Sequence, residues 1–227
     1  MVARRMISLI DVTCHGDAPL PHPVLGQVSV IFRTGERVGI LARPGRGKST
    51  LARLLCGMDR PDAGVLRRQG RVSWPIGSSG FLHPDLTGTM NIAIAARAVG
   101  ADPAETLAFC TRLTGQPDGF ARRMGGYAPS VRAALACGFS LSQRCDWYIA
   151  DETIGFGEGP QRARSDAMLE RRLAEAGLVF ITRNVTQMGK WCDRHFALHG
   201  GRLIEVEDAA MAAAVDTSPG KVARCWN

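Results

Sequence analysis

No apolar run in the 227 residues approaches the roughly 18–20 that a membrane-crossing helix needs. The amino-terminal MVARRMISLIDVT carries two arginines but neither a long apolar stretch nor a small-residue cleavage site, so no signal peptide is expected. The seven cysteines, Cys14, Cys56, Cys110, Cys137, Cys145, Cys192 and Cys225, are odd in number and include no CxxC pair. That argues against a disulfide framework and against a zinc site. Cys56 and Cys137 fall in apolar helical patterns, and a reducing, cytoplasmic setting is expected. Aromatic residues make up only 6% of the chain. A strand platform for nucleic acid wants aromatic rings interleaved with basic residues, so no nucleic-acid partner is expected. Internal repeats and low-complexity tracts are also missing.

What is present is an ordinary globular composition, 45% hydrophobic and 22% charged. The length suits one large domain or a core with an inserted lobe. A chain of this size should bury roughly 70–75% of its unfolded surface and needs no covalent or metal staple. Lys and Arg number 28 against 21 Asp and Glu, a net charge of +7. That charge suits an anionic partner such as a membrane surface or a nucleotide, and it suits a solvated basic surface equally well.

The amino-terminal part reads as strands: 6–12, 28–32 after a Pro/Gly/His-rich loop, and 37–41 after a turn at Thr34-Gly35-Glu36. A loop from Ala42 to Gly47 leads into a helical pattern with Leu51, Leu54, Leu55 and Met58 on one face, ended by Gly57 and Pro61. Arg71 to Trp74 reads as a short strand. Residues 86–143 are helical in pattern, with segments at 91–99, 104–114 and 131–141. Trp147 to Ala150 and Leu178 to Thr182 are buried-strand runs on either side of a charged helix at 160–176, and 195–206 reads as a hairpin turning at Gly200-Gly201. Strands alternating with helices imply an α/β fold with a mostly parallel sheet. The expected organisation is one domain over 1–206, with amino-terminal antiparallel strands and a helical insert at about 86–145, then a surface tail over 207–227.

The strongest local signal is the run from Arg37 to Thr50, RVGILARPGRGKST. Strand, loop and helix follow in the order of a phosphate-binding loop. The spacing GxxxxGK[ST] needs small residues so that main-chain N–H groups converge on phosphates. Arg43, Pro44, Gly45, Arg46, Gly47, Lys48, Ser49 and Thr50 are the expected nucleotide contacts. Lys48 supplies a point charge to the β- and γ-phosphates, Ser49 a ligand for Mg²⁺, and the helix start about half a positive charge. Ala42 stands where the pattern begins with glycine; if that position needs φ > 0, alanine costs about 1–2 kcal/mol. The second signal is Trp147 to Glu152, WYIADE, a core strand ending in two carboxylates. Asp151 is expected in the Mg²⁺ shell and Glu152 as the general base for the attacking water. Many strands end in acidic residues, so this pattern gains its weight from GKST.

GKST, a helical stretch, then a strand ending in Asp-Glu resembles the ATP-binding subunits of ABC transporters, with a P-loop NTPase core of the ABC ATPase type. The stretches 37–40, 58–64, 70–77 (GRVSWPIG), 83–88 (HPDLTG), 192–194 and 200–203 are similar to the branch that drives capsular polysaccharide export. The likeness covers roughly residues 6–206; GRVSWPIG and HPDLTG are its most specific parts. The resemblance implies ATP and Mg²⁺ as cofactors, and hydrolysis as the activity. It implies a head-to-tail dimer with a second ATP-binding subunit, identical or not. It also implies an integral membrane permease as partner, and a peripheral place on the cytoplasmic face of the inner membrane.

The chain departs from that family at several positions. The family's signature segment is replaced by Tyr127-Ala128-Pro129-Ser130-Val131-Arg132, and Pro129 has no N–H to offer. Arg183 stands at the family's switch histidine, and keeps charge without a neutral acceptor. Gly16 falls near the family's adenine-stacking ring, with His15 beside it. His83 aligns near the glutamine-type loop residue, and Glu158 near the dimer-contact aspartate. Removing one transition-state donor commonly costs roughly 10²–10³ in rate. Three readings therefore stand: an active transport ATPase, a hydrolysis-impaired nucleotide-binding regulatory subunit paired with an active partner, and a small-molecule P-loop kinase. Elsewhere the plain readings are preferred. Arg122-Arg123 and Arg171-Arg172 are taken as solvated faces, His195 and His199 as surface residues, and Met188 to Trp191 as a packing helix. Leu86 to Val99 is either a core helix or a groove for the membrane partner.

Overall fold

The computed structural model describes residues 5–16 and 23–217. Cys225 and the last part of the expected tail lie outside them. In chain order the elements are β1 (Met6–Cys14), β2 (Leu25–Arg33), β3 (Arg37–Leu41), α1 (Lys48–Cys56), β4 (Ala63–Arg68), α2 (Gly88–Ala98), α3 (Pro103–Thr114), α4 (Pro129–Ser142), β5 (Trp147–Asp151), α5 (Gly159–Leu173), β6 (Gly177–Thr182), α6 (Val185–Trp191), β7 (Arg194–His199), β8 (Arg202–Val206) and α7 (Ala209–Thr217). They divide into two compact units. One holds the described parts of Met1–Val72, Cys145–Glu152 and Glu175–Asn227; the other holds Ser73–Arg144 and Thr153–Ala174.

The first unit contains two sheets. An antiparallel sheet runs β2-β1-β4, and a five-stranded sheet runs β5-β6-β3-β7-β8, parallel except for β8 at its edge. The inner strands β3 and β6 have near-continuous apolar sequences because both of their faces are covered. One face joins Val38, Ile40, Ile149, Val179, Ile181, Phe196 and Leu198 to Leu51, Leu54 and Leu55 of α1 and to Ile7, Leu9, Val12 and Phe32 of the antiparallel sheet. On the other face a Cβ at Gly39 would strike the Met188 side chain, so glycine lets α6 lie close to β3. Gly57 ends α1 in the left-handed conformation, φ 80, where its N–H caps Leu54 and Arg53 carbonyls. Gly200 and Gly201, both with positive φ, close the β7–β8 hairpin.

Three expectations change here. From 207 on the chain is not simply a surface tail: α7 buries Ala209, Ala212 and Val215 and packs on β7. His195, expected at the surface, is buried on the same strand. The strand expected at 71–74 reduces to a single bridge, Val72 with Trp147.

The second unit is helical. Ile92, Cys110, Phe120, Met124, Tyr127, Leu135 and Phe139 form its core. Thr87 caps α2 by accepting from the Met90 N–H at 3.1 Å, and Asp102 caps α3 by accepting from the Glu105 N–H at 2.7 Å, with Pro103 in the first turn. The buried Asn91 amide holds the loop before α2, accepting from the His83 N–H at 2.7 Å and donating to the His83 and Thr87 carbonyls. The unit is larger than the expected insert at 86–145, because it begins at Ser73 and includes α5. Gln161 donates to the Thr114 carbonyl at 2.8 Å and Arg172 to the Leu141 carbonyl at 2.8 Å, which ties α5 to the ends of α3 and α4. Arg172 is therefore not a freely solvated residue, and neither is Arg122, which pairs with Asp118 at 2.8 Å and stacks on the Tyr127 ring.

Candidate functional site

The loop after β3 sits at the carboxyl edge of the parallel sheet, where open α/β sheets bind ligands. Gly45 and Gly47 have φ of 74 and 84, which bends the backbone into a cradle leading to α1. Gly47 is the residue before α1, and its carbonyl accepts from the Leu51 N–H at 2.8 Å. A Cβ on Gly47 would sit 2.6 Å from Val24 Cβ, so both φ and space call for glycine. No acidic residue occupies the first turn of α1 to compete for its N–H groups. Ala42 answers the question raised by its missing glycine. Among the described non-glycine residues only Asp11, Gln27, Phe120 and Glu152 have positive φ, so Ala42 carries no left-handed strain.

Lys48, Ser49, Asp151 and Glu152 come together in this unit. Lys48 is only 9% exposed, and its Nζ lies 3.2 Å from Glu152 Oε1. Burial pushes the Asp151 carboxyl above its usual range, against a hydrogen bond from Ser49 that pulls it down. Asp151 Oδ1 is buried with no partner among the described residues. A desolvated carboxylate oxygen beside a hydroxyl is a donor set that fits a hard divalent cation. The described residues hold no cluster of three His, Cys, Asp or Glu able to bind a metal by themselves. A cation here would need further oxygen ligands, from water or from a bound anion. Glu152 has φ 60, and its N–H donates to the Ile181 carbonyl at 2.8 Å. The Arg43 to Arg46 part of the loop is exposed, as an entrance for an anion must be.

Other singled-out residues fall elsewhere. His15 is exposed and held by Asp62, 3.0 Å from its Nδ1. Gly16 lies beside Thr50. Arg183 is exposed, and its main-chain N–H donates to Glu152 Oε2 at 3.1 Å. Tyr127 to Arg132, His83 and Glu158 belong to the second unit, where α4 starts at Pro129 without a side-chain cap. Met188 and Trp191 are buried, as a packing helix requires. None of the six described cysteines is in a disulfide, and burial pushes the Cys56, Cys137 and Cys192 thiols up to about 12. One residue beside the site escaped the sequence reading: Thr182, whose hydroxyl donates to Glu152 Oε2 at 3.2 Å. Its only sequence signal is a hydroxyl ending a buried apolar strand.

Comparison with known proteins gives the family and the fold. The model of the family described as ABC transporter matches residues 25–80. The ATP-binding protein BexA of Haemophilus influenzae is 30% identical over 82% of this chain and 85% of its own. The capsule polysaccharide export ATP-binding protein CtrD of Neisseria meningitidis is 29% identical over 82% of this chain and 86% of its own. The polysialic acid transport ATP-binding protein KpsT of Escherichia coli is 27% identical over 76% and 80%. In fold, the chain is similar to an ATP-binding subunit of an ABC transporter, with TM-score 0.77, 19% identity, and coverage of 94% of this chain and 100% of that one. It is similar also to a dimeric, post-hydrolysis ATP-binding cassette bound to ADP and Pi, with TM-score 0.74 and 16% identity over 88% and 98%. With 30% identity to BexA across most of both chains, and the family model matched over the phosphate-loop region, the chain belongs to the ABC transporter family, among its ATP-binding subunits.

Proposed function

We propose that this chain hydrolyses ATP to drive export of capsular or other cell-surface polysaccharide. The observation that carries the chemistry is the meeting of Lys48 with Glu152, and of Ser49 with Asp151, behind the Gly45–Gly47 cradle. Residues 43–50 supply main-chain N–H groups, the α1 dipole and the Lys48 ammonium to the triphosphate. Ser49 and Asp151 would hold Mg²⁺ arriving with ATP, and the ion would neutralise charge on the phosphate oxygens. Glu152 orients the attacking water and takes its proton. The export reading draws on the relatives, which are named for capsule and polysialic acid export.

The chain works in a dimer with a second ATP-binding subunit and docks on an integral membrane permease at the cytoplasmic face of the inner membrane. No described helix is long and apolar enough to cross a membrane, which suits a peripheral subunit. Pro129 and Arg183 are the ground for the alternative, a hydrolysis-impaired nucleotide-binding regulatory subunit paired with an active partner. The complete set of Lys48, Ser49, Asp151 and Glu152 favours hydrolysis, and no observation favours a small-molecule kinase.

Calorimetric ATP titration and steady-state ATPase assay of the purified chain test this reading, with Lys48→Ala alongside. The substitution is expected to weaken ATP binding by at least about a hundredfold and to abolish turnover. Unchanged affinity in Lys48→Ala would remove the phosphate-loop assignment.

A further inference from the structure

The two carboxylate oxygens of Glu152 have different surroundings. Oε1 faces Lys48, whose ammonium a bound triphosphate would claim. Oε2 is gripped by two donors from the β6–α6 turn, the Thr182 hydroxyl at 3.2 Å and the Arg183 N–H at 3.1 Å. The Thr182 Oγ1 also accepts from the Asn184 N–H at 3.0 Å. With an acceptor lone pair used by that N–H, the hydroxyl proton is directed at Glu152. Asn184 in turn accepts from the Gln187 N–H at 2.9 Å and caps α6. A relay of hydrogen bonds therefore runs from the start of α6 to the carboxylate.

Thr182 is suited to an orienting role in two further ways. Its side chain is 0% exposed, so solvent cannot replace its hydroxyl. Its carbonyl accepts from the Ala42 N–H at 3.0 Å, which registers it against the root of the phosphate loop. Glu152 itself sits at φ 60, an uncommon backbone conformation for a side chain-bearing residue, which persists because its surroundings hold it.

We propose that Thr182 is a positioning residue for hydrolysis: it pins Oε2 of Glu152 and thereby presents Oε1 to the attacking water. This rests on the reading of Glu152 as general base. The proton of the water passes to Oε1, and Thr182 keeps its own proton throughout.

The test compares the full-length parent with Thr182→Val and Thr182→Ser, by steady-state ATPase, calorimetric ATP titration and thermal unfolding, with Lys48→Ala as a control. Valine keeps the β-branched shape in the strand and removes the hydroxyl; serine keeps the hydroxyl. Thr182→Val should lower kcat by about tenfold to a hundredfold while ATP affinity and KM stay within about twofold. Thr182→Ser should return kcat to within about threefold of the parent. Full kcat in Thr182→Val, with the parent active and Lys48→Ala inactive, would overturn the proposal and leave the ATPase reading standing. A parallel fall in kcat, affinity and unfolding temperature that serine does not restore would overturn it too, since that marks a structural role. A parent that binds ATP without turnover would remove the hydrolytic reading and this proposal together.

Discussion

Ala42 shows how a single position can depart from a motif without harming the site. Its side chain is fully buried in the main core, its φ is not positive, and its N–H donates to the Thr182 carbonyl at 3.0 Å. A glycine there would gain no conformation that the loop uses, and would lose more entropy on folding, about 0.5–1 kcal/mol. Ala42→Gly is therefore expected to lower stability in urea unfolding by about 1 kcal/mol while ATP affinity stays level. Tighter ATP binding in that variant would mean that Ala42 strains the loop after all. Lys48, Ser49, Asp151 and Glu152 were legible in the sequence because the motif spacing and a buried strand constrain them. Thr182 was not, because nothing along the chain says which distant carboxylate a strand-end hydroxyl meets. His195 misled for a related reason: a histidine beside a hairpin looks exposed until α7 is known to pack on its strand.

At the scale of elements, the segment leading into α4 is held by one carboxylate. Asp118 Oδ2 accepts from the Tyr127 hydroxyl at 2.7 Å and from Arg122 Nε at 2.8 Å, while Oδ1 accepts from the Phe120 N–H at 3.0 Å and from Gln116 at 3.1 Å. The Tyr127 hydroxyl first, then Arg122, holds the Asp118 carboxyl well below the usual carboxylate range. A depressed folded-state pKa adds stability that is complete above the unfolded value of about 3.9 and is lost as pH falls below it. Asp118→Asn should therefore unfold at a lower temperature than the parent near pH 7. The gap should narrow as pH falls through about 4. A gap that is constant down to pH values of about 3 would show that the loop is held by packing instead. The strands β3, β5 and β6 and helices α2 to α4 were visible in the sequence through apolar and small-residue runs, and α5 through a charged amphipathic run bracketed by Pro160 and Gly177. β4 was missed because Val65 and Leu66 are its only large apolar residues and Val65 is exposed. α7 was missed because its alanine-rich sequence has no marked apolar stripe.

At the scale of the whole molecule, net charge bears on when two copies meet. Each carries +7, so unliganded copies repel one another, and a triphosphate bound at the phosphate loop offsets part of that charge. The resemblance to ABC ATPases implies that, in the proposed dimer, each nucleotide is shared between the loop of one copy and the α4 start of the other. That makes association depend on intact ATP. Without its general base, Glu152→Gln should retain ATP and accumulate as a dimer. Sedimentation velocity at moderate salt should show the variant as a monomer without nucleotide, a dimer with ATP and Mg²⁺, and a monomer with ADP. Pro129 removes one N–H from the α4 start, so the dimer should need higher chain concentrations than two well-formed signature segments would. The ATPase rate per chain of the parent should for the same reason climb with protein concentration before it levels off. A rate per chain that is flat from nanomolar to micromolar protein, together with a Glu152→Gln variant that stays monomeric in ATP, would show that one copy hydrolyses alone and that the shared site is wrong.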